Sequence, residues 1–377
     1  MSDLLLNLLR FFNPETSHSL SLSLLKIAHK LHLYSLLGIK FNFKNQDSLV
    51  FKNLTFKNRL GTAAGLDKNA DYIECLGALG FGFLEVGTVT PRPQIGNPRP
   101  RVFRFSKHNS VINRLGFNNK GLEHLVNNLK RSKYDGVLGV NIGANKDSNE
   151  EQRIKDYLIC FRGVAEYADY ITINISSPNT PGLRDLHSNN NIAELLNEIS
   201  LEREKLNYKN PIFLKISPDE DQNTYQNIIN AVIEYNLDGL IATNTTIQRD
   251  QSSSSSITDT QGGLSGRLLY DKSNEVLKQI ADHSKQDLLI IGVGGVDSGR
   301  STYEKLLAGA SYVQLYTGMV FKGPNIVNMI KKELKELLIK DGVSNFTEII
   351  GKKIKINIAK NVGNINQKKV LCFIIQN

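Results

Sequence analysis

The sequence predicts an α/β protein built as a (β/α)8 TIM barrel. Short apolar, β-branched runs recur along the chain, polar loops follow them, and helix-like segments separate most of them. Eight such units lie between residues 51 and 351, which is the repeat number of this barrel. A doubly wound open sheet is the main alternative. No GxGxxG motif follows the first predicted strand, which weakens a dinucleotide-binding fold of that kind.

The predicted strands are rich in branched apolar residues, as expected for parallel strands that are buried on both faces. We expect them at residues 60–64, 83–89, 137–142, 170–175, 212–216, 239–243, 289–293 and 312–316. Helical periodicity is clearest in three of the intervening segments, at residues 192–206, 224–235 and 274–283.

Residues 1–37 predict a pair of amphipathic helices ahead of the barrel. Asn13 and Pro14 supply an N-cap and a first-turn proline for the second helix. One side of that helix is expected to be apolar, with Leu20, Leu24, Ile27, Ala28 and Leu31, and the other polar, with His18, Lys26, Lys30 and His32. Two roles remain open, because such helices either dock on a core or lie in a membrane interface.

Charge is unevenly distributed along the chain. The formal net charge is +9, and six of these charges are lysines of the tail 352–377, which has no acidic residue. The main body therefore does not have the basic surface of a nucleic-acid-binding protein, and we expect no nucleic-acid partner. We expect the basic tail to be loosely attached or disordered.

The cysteine content indicates a reducing compartment. The three cysteines, Cys75, Cys160 and Cys372, show no CxxC spacing, which argues against a zinc site or a disulfide framework, and we expect no metal. Cys75 and Cys160 fall in helix-like stretches and are expected to be inert core thiols. No run of about 18 apolar residues predicts a membrane-spanning helix.

Polar residues recur where the predicted strands end. The carboxyl ends of the strands of a TIM barrel meet at one rim, where barrel enzymes keep their active sites. The sequence therefore predicts one site lined by lysines, amides and hydroxyls. These strand-end segments are residues 63–68, 87–91, 141–145, 174–179, 215, 243–246, 292–295 and 316–318.

The fourth strand end, NISSPNTPG at residues 174–182, is the most informative segment. Asparagine amides both donate and accept, so they can bind a planar ring of alternating C=O and N–H groups. Ser177 lies between them and can handle a proton. Taken alone, the segment also fits a polar turn that merely closes a strand.

The last two strand ends predict a phosphate site. Glycines at Gly294, Gly295 and Gly318, together with Gly266, allow backbone N–H groups to approach an anion. With a flat polar pocket above it, a phosphate here fits flavin mononucleotide better than a sugar phosphate. Lys215 can then stabilise the reduced flavin. The alternatives are that the glycines only permit tight turns and that Lys215 is a buried lysine paired with a carboxylate.

Seven motifs resemble those of the class 2, quinone-linked dihydroorotate dehydrogenases, and the resemblance runs from about Asn13 to Gly351. The motifs are AAGLDK (63–68), GTVTPRPQ (87–94), NRLGF (113–117), NISSPNTPG (174–182), TNTT (243–246), GGLSGR (262–267) and GVGG (292–295). The resemblance implies an FMN-binding barrel, residues 51–351, whose N-terminal helical pair admits a membrane quinone. It also implies oxidation of dihydroorotate to orotate in pyrimidine biosynthesis.

The resemblance implies roles for individual residues as well. The catalytic base falls on Ser177. The FMN contacts fall on Ala64, Gly65, Lys68, Thr88, Asn141, Asn174, Lys215, Thr243, Gly266, Gly295, Tyr316 and Thr317. The substrate contacts fall on Lys68, Asn113, Arg114, Leu115, Gly116, Phe117, Asn174, Asn179, Asn244 and Thr245.

The resemblance also distinguishes between classes of the family. Cytosolic relatives have a cysteine as the base and lack the helical pair, so the quinone-linked class is favoured over an NAD- or fumarate-linked one.

We expect a monomer bound peripherally to the cytoplasmic side of a bacterial inner membrane, since mitochondrial members usually carry a transit segment and a spanning helix.

Two further alternatives come from other classes of protein. A 2-hydroxy-acid oxidase needs a histidine base and arginine clamps, whereas the strand ends here carry amides and lysines. A non-catalytic barrel that acts as an interaction module would be colourless, so a yellow preparation separates it from a flavoprotein.

Overall fold

The computed structural model describes residues 11–34, 48–180, 183–184, 189–250, 255–284 and 288–352. Several predictions therefore concern residues outside the described parts: the first N-terminal helix up to residue 10, Cys372, and the basic tail from residue 353 onward. The proposed division of the chain at residues 1–37, 51–351 and 352–377 stays a prediction.

Eight parallel strands form a closed barrel, as the sequence predicts, and the open-sheet alternative is wrong. Each strand pairs with the next one around the ring. The strand Gly239–Ala242, for example, pairs with Ile212–Ile216 on one side and with Leu289–Val293 on the other. The barrel strands are β3 (Leu60–Thr62), β4 (Phe83–Val89), β7 (Val137–Ile142), β8 (Tyr170–Asn174), β9 (Ile212–Ile216), β10 (Gly239–Ala242), β12 (Leu289–Val293) and β13 (Tyr312–Leu315).

Helices precede the barrel and connect its strands. They are α1 (Pro14–Lys30), α2 (Ile73–Gly77), α3 (Leu122–Arg131), α4 (Glu150–Val164), α5 (Asn189–Lys205), α6 (Gln222–Glu234), α7 (Ser255–Thr258), α8 (Tyr270–His283), α9 (Gly299–Leu307), α10 (Thr317–Lys322) and α11 (Ile326–Lys340). The apolar residues of the longer helices pack on the outer face of the barrel in one continuous core. Cys75 and Cys160 are buried free thiols, as predicted.

Four of the predicted strands end one or two residues early. These are β3, β8, β10 and β13. At these ends the chain leaves the ladder and turns over the rim, where its backbone bonds to other strand ends. Gly65 N–H donates to Gly87 O over 2.7 Å, and Asn244 N–H donates to Ile216 O over 2.8 Å.

An antiparallel hairpin closes the amino-terminal end of the barrel, and the sequence analysis did not predict it. Its strands are β1 (Leu49–Phe51) and β2 (Leu54–Phe56). Phe56 is fully buried, with its ring centroid 4.2 Å from that of Tyr312 and 5.3 Å from that of Phe83. This aromatic cluster fills the lower half of the barrel, so polar chemistry is confined to the upper half.

A second antiparallel sheet was also not predicted. It consists of β5 (Val102–Phe105), β6 (Ser110–Asn113) and β11 (Gly263–Gly266), in the order β11-β6-β5. Asn113 at the end of β6 is in register with both Val102 and Gly263. Because β11 follows the sixth barrel strand and β6 follows the second, this sheet joins two distant loops of the rim.

Helix α1 begins as predicted, with Asn13 Oδ1 accepting from Glu15 N–H over 3.0 Å. It docks, however, through a different face from the predicted one. Leu22, Leu25 and Ala28 are buried, whereas Ile27 is 53% exposed and Leu31 is 59% exposed. The helix carries apolar residues on two sides, so helical periodicity alone does not identify the inner one. His18 also turns inward rather than lying on the polar face.

An ion pair fixes α1 to the loop before β5. Arg101 is 4% exposed, and its guanidinium donates to the Glu15 carboxylate, with the shortest distance 2.6 Å. It also donates to Ile95 O and Asn97 O. A buried guanidinium whose three nitrogens all donate in this way is costly to leave unpaired.

We expect Glu15→Gln to loosen α1 by about 1–2 kcal/mol at pH 7, because it weakens a charge-assisted bond. Arg101 holds the pKa of Glu15 below its usual value of 4.5. The carboxylate therefore stabilises the docked helix above that value, and the contribution is lost as the pH falls through the lower, folded-state pKa. Hydrogen exchange of residues 14–30 measures the effect. Exchange in Glu123→Gln, at an exposed helical site, should match the parent.

Candidate active site

A cavity of about 260 Å³ opens at the carboxyl ends of the barrel strands, between the rim and α1. Both Ser177 and Lys215 line it, as the sequence analysis required. Other residues that were predicted to belong to the site also line it: Ala64, Gly65, Lys68, Thr88, Asn113, Leu115, Gly116, Phe117, Asn174, Asn179, Thr243, Asn244, Thr245, Gly266, Gly295, Tyr316 and Thr317.

Two predicted site residues do not line the cavity. Asn141 lies fully buried beneath it, where its Oδ1 accepts from Asn174 Nδ2 over 3.1 Å. The Arg114 side chain turns away, donates to Pro100 O over 3.0 Å and lies over the Phe103 ring. Asn141 can therefore act on the cavity through Asn174, whereas the guanidinium of Arg114 is engaged elsewhere.

Ser177 has the surroundings of a proton acceptor that faces a ligand. It is 5% exposed, and its Oγ accepts from Asn179 N–H over 3.3 Å. Thr180 is buried nearby in sequence, and among the described residues its Oγ1 has no hydrogen-bond partner. Phe117 belongs to the same cavity wall. The loop thus offers two hydroxyls in a region with little access to bulk water.

Asparagines of two loops meet above the barrel. Asn179 Nδ2 donates to Asn113 O over 3.1 Å and to Asn113 Oδ1 over 3.3 Å. Asn113 belongs to β6, so the second sheet carries it over the rim to the loop after β8. Arg184 holds the other side of this loop through Ser176 O and Thr245 O. The amides are therefore held by neighbouring backbone before any ligand binds.

Lys68 supplies a cation at the cavity wall. Its Nζ donates to Gly65 O over 3.2 Å. Burial lowers the pKa of Lys68 to about 8, so the side chain is charged at neutral pH. A cation that is half-buried among amides suits an anionic ligand of modest size.

Lys215 combines the two alternatives that the sequence left open. It lines the cavity and is 5% exposed, and the buried carboxylate of Glu85 provides a nearby negative charge. Burial lowers the pKa of Lys215, while Glu85 opposes that shift. Lys215 thus lines the site and also has a carboxylate nearby.

The predicted phosphate turns have the close packing that only glycine permits. A Cβ at Gly295, where φ is +71°, would lie 2.5 Å from Tyr270 Cβ. A Cβ at Gly266, where φ is +87°, would lie 2.3 Å from Asn109 O and 2.9 Å from Thr317 Cγ2. Backbone therefore approaches the cavity without side chains in the way, as a phosphate cradle requires.

A fully buried lysine lies behind these turns, and the sequence analysis missed it. Lys305 Nζ donates to Ser273 Oγ over 2.9 Å and to Asn274 Oδ1 over 3.0 Å. Ser273 in turn bonds to Gly294 O over 3.1 Å. Burial lowers the pKa of Lys305 to about 7. Nothing in the local pattern distinguishes Lys305 from the exposed lysines of other helices.

Three more residues of the site were missed. Gln314 lies at the cavity floor, and its buried Oε1 has no partner among the described residues. His18 lines the cavity from α1, where burial and then Lys68 lower its pKa to about 3, so it is neutral. Glu85 is fully buried in β4. A charged residue in an otherwise apolar strand is a signal that sequence analysis could have used.

Within the described ranges, no helix is long and apolar enough to cross a bilayer. The same ranges contain no group of three His, Cys, Asp or Glu side chains placed to hold a metal ion.

The family model described as dihydroorotate dehydrogenase matches residues 48–338. The chain belongs to the dihydroorotate dehydrogenase family. A dihydroorotate dehydrogenase (quinone) of Marinomonas sp. (strain MWYL1) is 46% identical over 331 residues, which cover 87% of this chain and 95% of that protein. One of Marinobacter nauticus is also 46% identical, over 345 residues that cover 89% of this chain and all of that protein.

A solved structure of the same family has the same fold. The crystal structure of DHODH from Eimeria tenella in complex with ferulenol superposes with a TM-score of 0.79 at 36% identity, covering 87% of this chain and 95% of that one. The predicted family, its quinone-linked class and the assignment as an oxidoreductase are therefore confirmed. Dihydroorotate dehydrogenases are flavin-dependent.

We expect Lys305→Met to stabilise the ligand-free protein more at pH 7 than at pH 10. The folded-state pKa of Lys305, about 7, lies below its unfolded value of 10.5, so the unfolded chain binds more protons between these values. The parent therefore gains stability as the pH rises through this window, on the order of a few kcal/mol, and the methionine variant does not.

Urea unfolding at the two pH values measures this difference in the free energy of unfolding. Lys335→Met, at an exposed helical position, serves as the control and should show no such pH dependence. An equal advantage of Lys305→Met at both pH values would contradict the expectation.

Proposed function

We propose that this protein oxidises (S)-dihydroorotate to orotate in pyrimidine biosynthesis, with flavin mononucleotide as the hydride acceptor and a membrane quinone as the terminal acceptor. The observation that carries the proposal is that Ser177, Lys68, Lys215 and the glycine turns line one cavity. Family membership and the quinone-dependent relatives support the same activity.

The residues present fit flavin mononucleotide. Backbone at Gly266, Gly295 and Thr317 would hold the phosphate, and Lys215 would face the ring. The buried Gln314 Oε1, which has no protein partner among the described residues, is suited to a polar ligand atom. When bound, the flavin supplies hydride acceptance and electron transfer to a second acceptor.

The amides and Lys68 would bind the substrate. Dihydroorotate is a small anion with ureide C=O and N–H groups, for which amides provide paired donors and acceptors. Asn113, Asn179 and Asn244 line the cavity and would fix its orientation, while Lys68 would face its charge. A substrate held in this orientation would have its reacting C–H bonds at near-attack distance from the cofactor, about 3–3.5 Å.

Ser177 would take the C5 proton while the hydride leaves C6. A serine hydroxyl is a weak base, so it needs a path that carries the proton onward. Thr180 Oγ1, which has no hydrogen-bond partner within the described parts of the chain, is suited to that path, and Phe117 would limit the entry of water. The rate of the chemical step should consequently rise with pH.

Helix α1 would connect the cavity to the membrane. Its inner side contributes Leu22 and Leu25 to the cavity wall, which suits an apolar acceptor. Its outer side exposes Ile27 and Leu31, which suit the acyl region of a lipid interface. The bacterial relatives support a place on the cytoplasmic side of an inner membrane. A single chain builds the cavity, which supports a monomer as the active unit.

We expect Ser177→Ala to slow flavin reduction by dihydroorotate by about 10²–10⁴-fold, because it removes the proton acceptor. Flavin binding should be unchanged. Anaerobic stopped-flow absorbance measures the reduction, and its rate in the parent should rise with pH. Ser177→Cys is the matched control, since a thiol restores a proton acceptor and should recover part of the rate. Reduction of Ser177→Ala at the parental rate would rule out this role.

We expect the double variant Ile27→Ser, Leu31→Ser to lower binding to anionic vesicles by tenfold or more. Each half-exposed apolar side chain contributes about 1 kcal/mol on entering the lipid interface. Vesicle co-sedimentation measures the binding, and activity with a short-chain, water-soluble quinone should not change. Ile339→Ser on α11, at a residue 69% exposed, is the control and should bind vesicles like the parent. Equal binding by all three proteins would exclude α1 as the contact.

A further inference from the structure

A carboxylate lies at the centre of the barrel, directly below the cavity. Glu85 is 0% exposed, and both of its oxygens are surrounded by donors. Asn141 Nδ2 donates to Oε1 over 2.8 Å. Gln314 Nε2, Tyr170 Oη and Thr172 Oγ1 donate to Oε2 over 2.7, 3.0 and 3.2 Å. Glu85 is therefore an acceptor at every contact, in a place where the barrel contains no bulk water.

A chain of hydrogen bonds leads from the rim to this carboxylate. Asn244 Nδ2 donates to Ser176 Oγ over 3.0 Å, and Ser176 Oγ donates to Asn174 Oδ1 over 3.0 Å. Asn174 Nδ2 donates to Asn141 Oδ1 over 3.1 Å, and Asn141 Nδ2 donates to Glu85. Asn174 and Asn244 line the cavity, whereas Ser176 and Asn141 are fully buried.

The direction of this chain is determined by its two ends. At the rim the backbone N–H of Thr245 donates to Asn244 Oδ1 over 2.7 Å, so the Asn244 amide must turn its NH₂ toward Ser176. At the floor the carboxylate only accepts, so Asn141 must turn its NH₂ toward Glu85. Between the ends, the backbone N–H of Ser176 donates to Asn174 Oδ1 over 3.2 Å, so Asn174 must turn its NH₂ toward Asn141 Oδ1.

We propose that Glu85 is a positioning residue: it is the acceptor that orients the Asn141 amide beneath Asn174, and its charge balances Lys215 beneath the flavin. The inference rests on the proposed function and deepens it. Without an acceptor at residue 85, Asn141 is free to turn round, and Asn174 at the cavity loses the amide oxygen that accepts from its NH₂. Without a negative charge there, Lys215 stabilises the electron-rich reduced flavin more strongly.

Two variants of Glu85 separate its charge from its role as an acceptor. Glu85→Gln removes the charge but keeps an oxygen that Asn141 can use, since Gln314 and the hydroxyls can adjust to its amide. Glu85→Met has a similar volume but removes the acceptor as well. Both variants should shift the midpoint potential of the bound flavin upward. Only Glu85→Met should raise the orotate dissociation constant, by tenfold or more.

Spectroelectrochemical titration of the holoenzyme measures the potential, and the orotate-induced change of the flavin spectrum measures the dissociation constant. Tyr170→Phe is the matched control, because it removes one donor to Glu85 and leaves the charge and Asn141 in place. It should resemble the parent in both measurements. Asn141→Leu removes the amide that links Glu85 to Asn174 and keeps the charge of Glu85, so it should weaken orotate binding as Glu85→Met does.

An unshifted potential in Glu85→Gln would overturn the charge-balancing role. Parental affinity for orotate in Glu85→Met would overturn the positioning role, and if that variant does not fold, parental affinity in Asn141→Leu decides the same point. The proposed function has a separate test in the parent, which must bind flavin mononucleotide and be reduced by dihydroorotate. A parent protein that failed this test would contradict the proposed function, whatever the differences between the variants.

Discussion

The structure of the site depends on how two charges are buried in the upper half of the barrel. An isolated ion in a protein interior is costly, and it persists only where donors or a counter-charge replace water. Glu85 meets this requirement with four donors from three different strands, β7, β8 and β13. Lys215 meets it in part with the charge of Glu85. The side chains that satisfy Glu85 are thereby fixed, and they include Asn141, whose Oδ1 accepts from Asn174 at the cavity.

The floor of the barrel makes this arrangement possible. The cluster around Phe56, Phe83 and Tyr312 fills the amino-terminal half with apolar side chains. Polar side chains that point inward from the strands therefore have one place left, a thin layer between this cluster and the cavity. A layer that thin has room for few waters, so its hydrogen bonds are made within the protein and are strengthened by the low local dielectric. A barrel with an open, hydrated lower half would allow the same amides to turn.

Sequence patterns predict the elements that are buried on all sides. They fail where apolar residues lie on two sides and only one is buried, or where burial depends on segments that are distant in sequence. The barrel strands are predictable because parallel strands are buried on both faces and are β-branched throughout. The hairpin at β1 and β2 is three residues per strand, too short to show a period. The α1 helix has apolar residues on two sides, and only the rest of the protein determines that Leu22 and Leu25 face inward. Most rim residues followed from the strand ends, whereas Glu85, Gln314 and Lys305 depend on contacts between distant segments.

The two apolar sides of α1 would allow one short helix to line the cavity and contact a lipid interface at the same time. Its inner side is neutral, because burial keeps His18 unprotonated beside the cation of Lys68. A protonated histidine there would place a second positive charge at the wall and attract anions and water. The Glu15–Arg101 pair holds the helix at its start, so the remaining turns depend on Leu22, Leu25 and Ala28 for their position. A neutral, apolar wall of this kind suits an acceptor that arrives from lipid rather than from water.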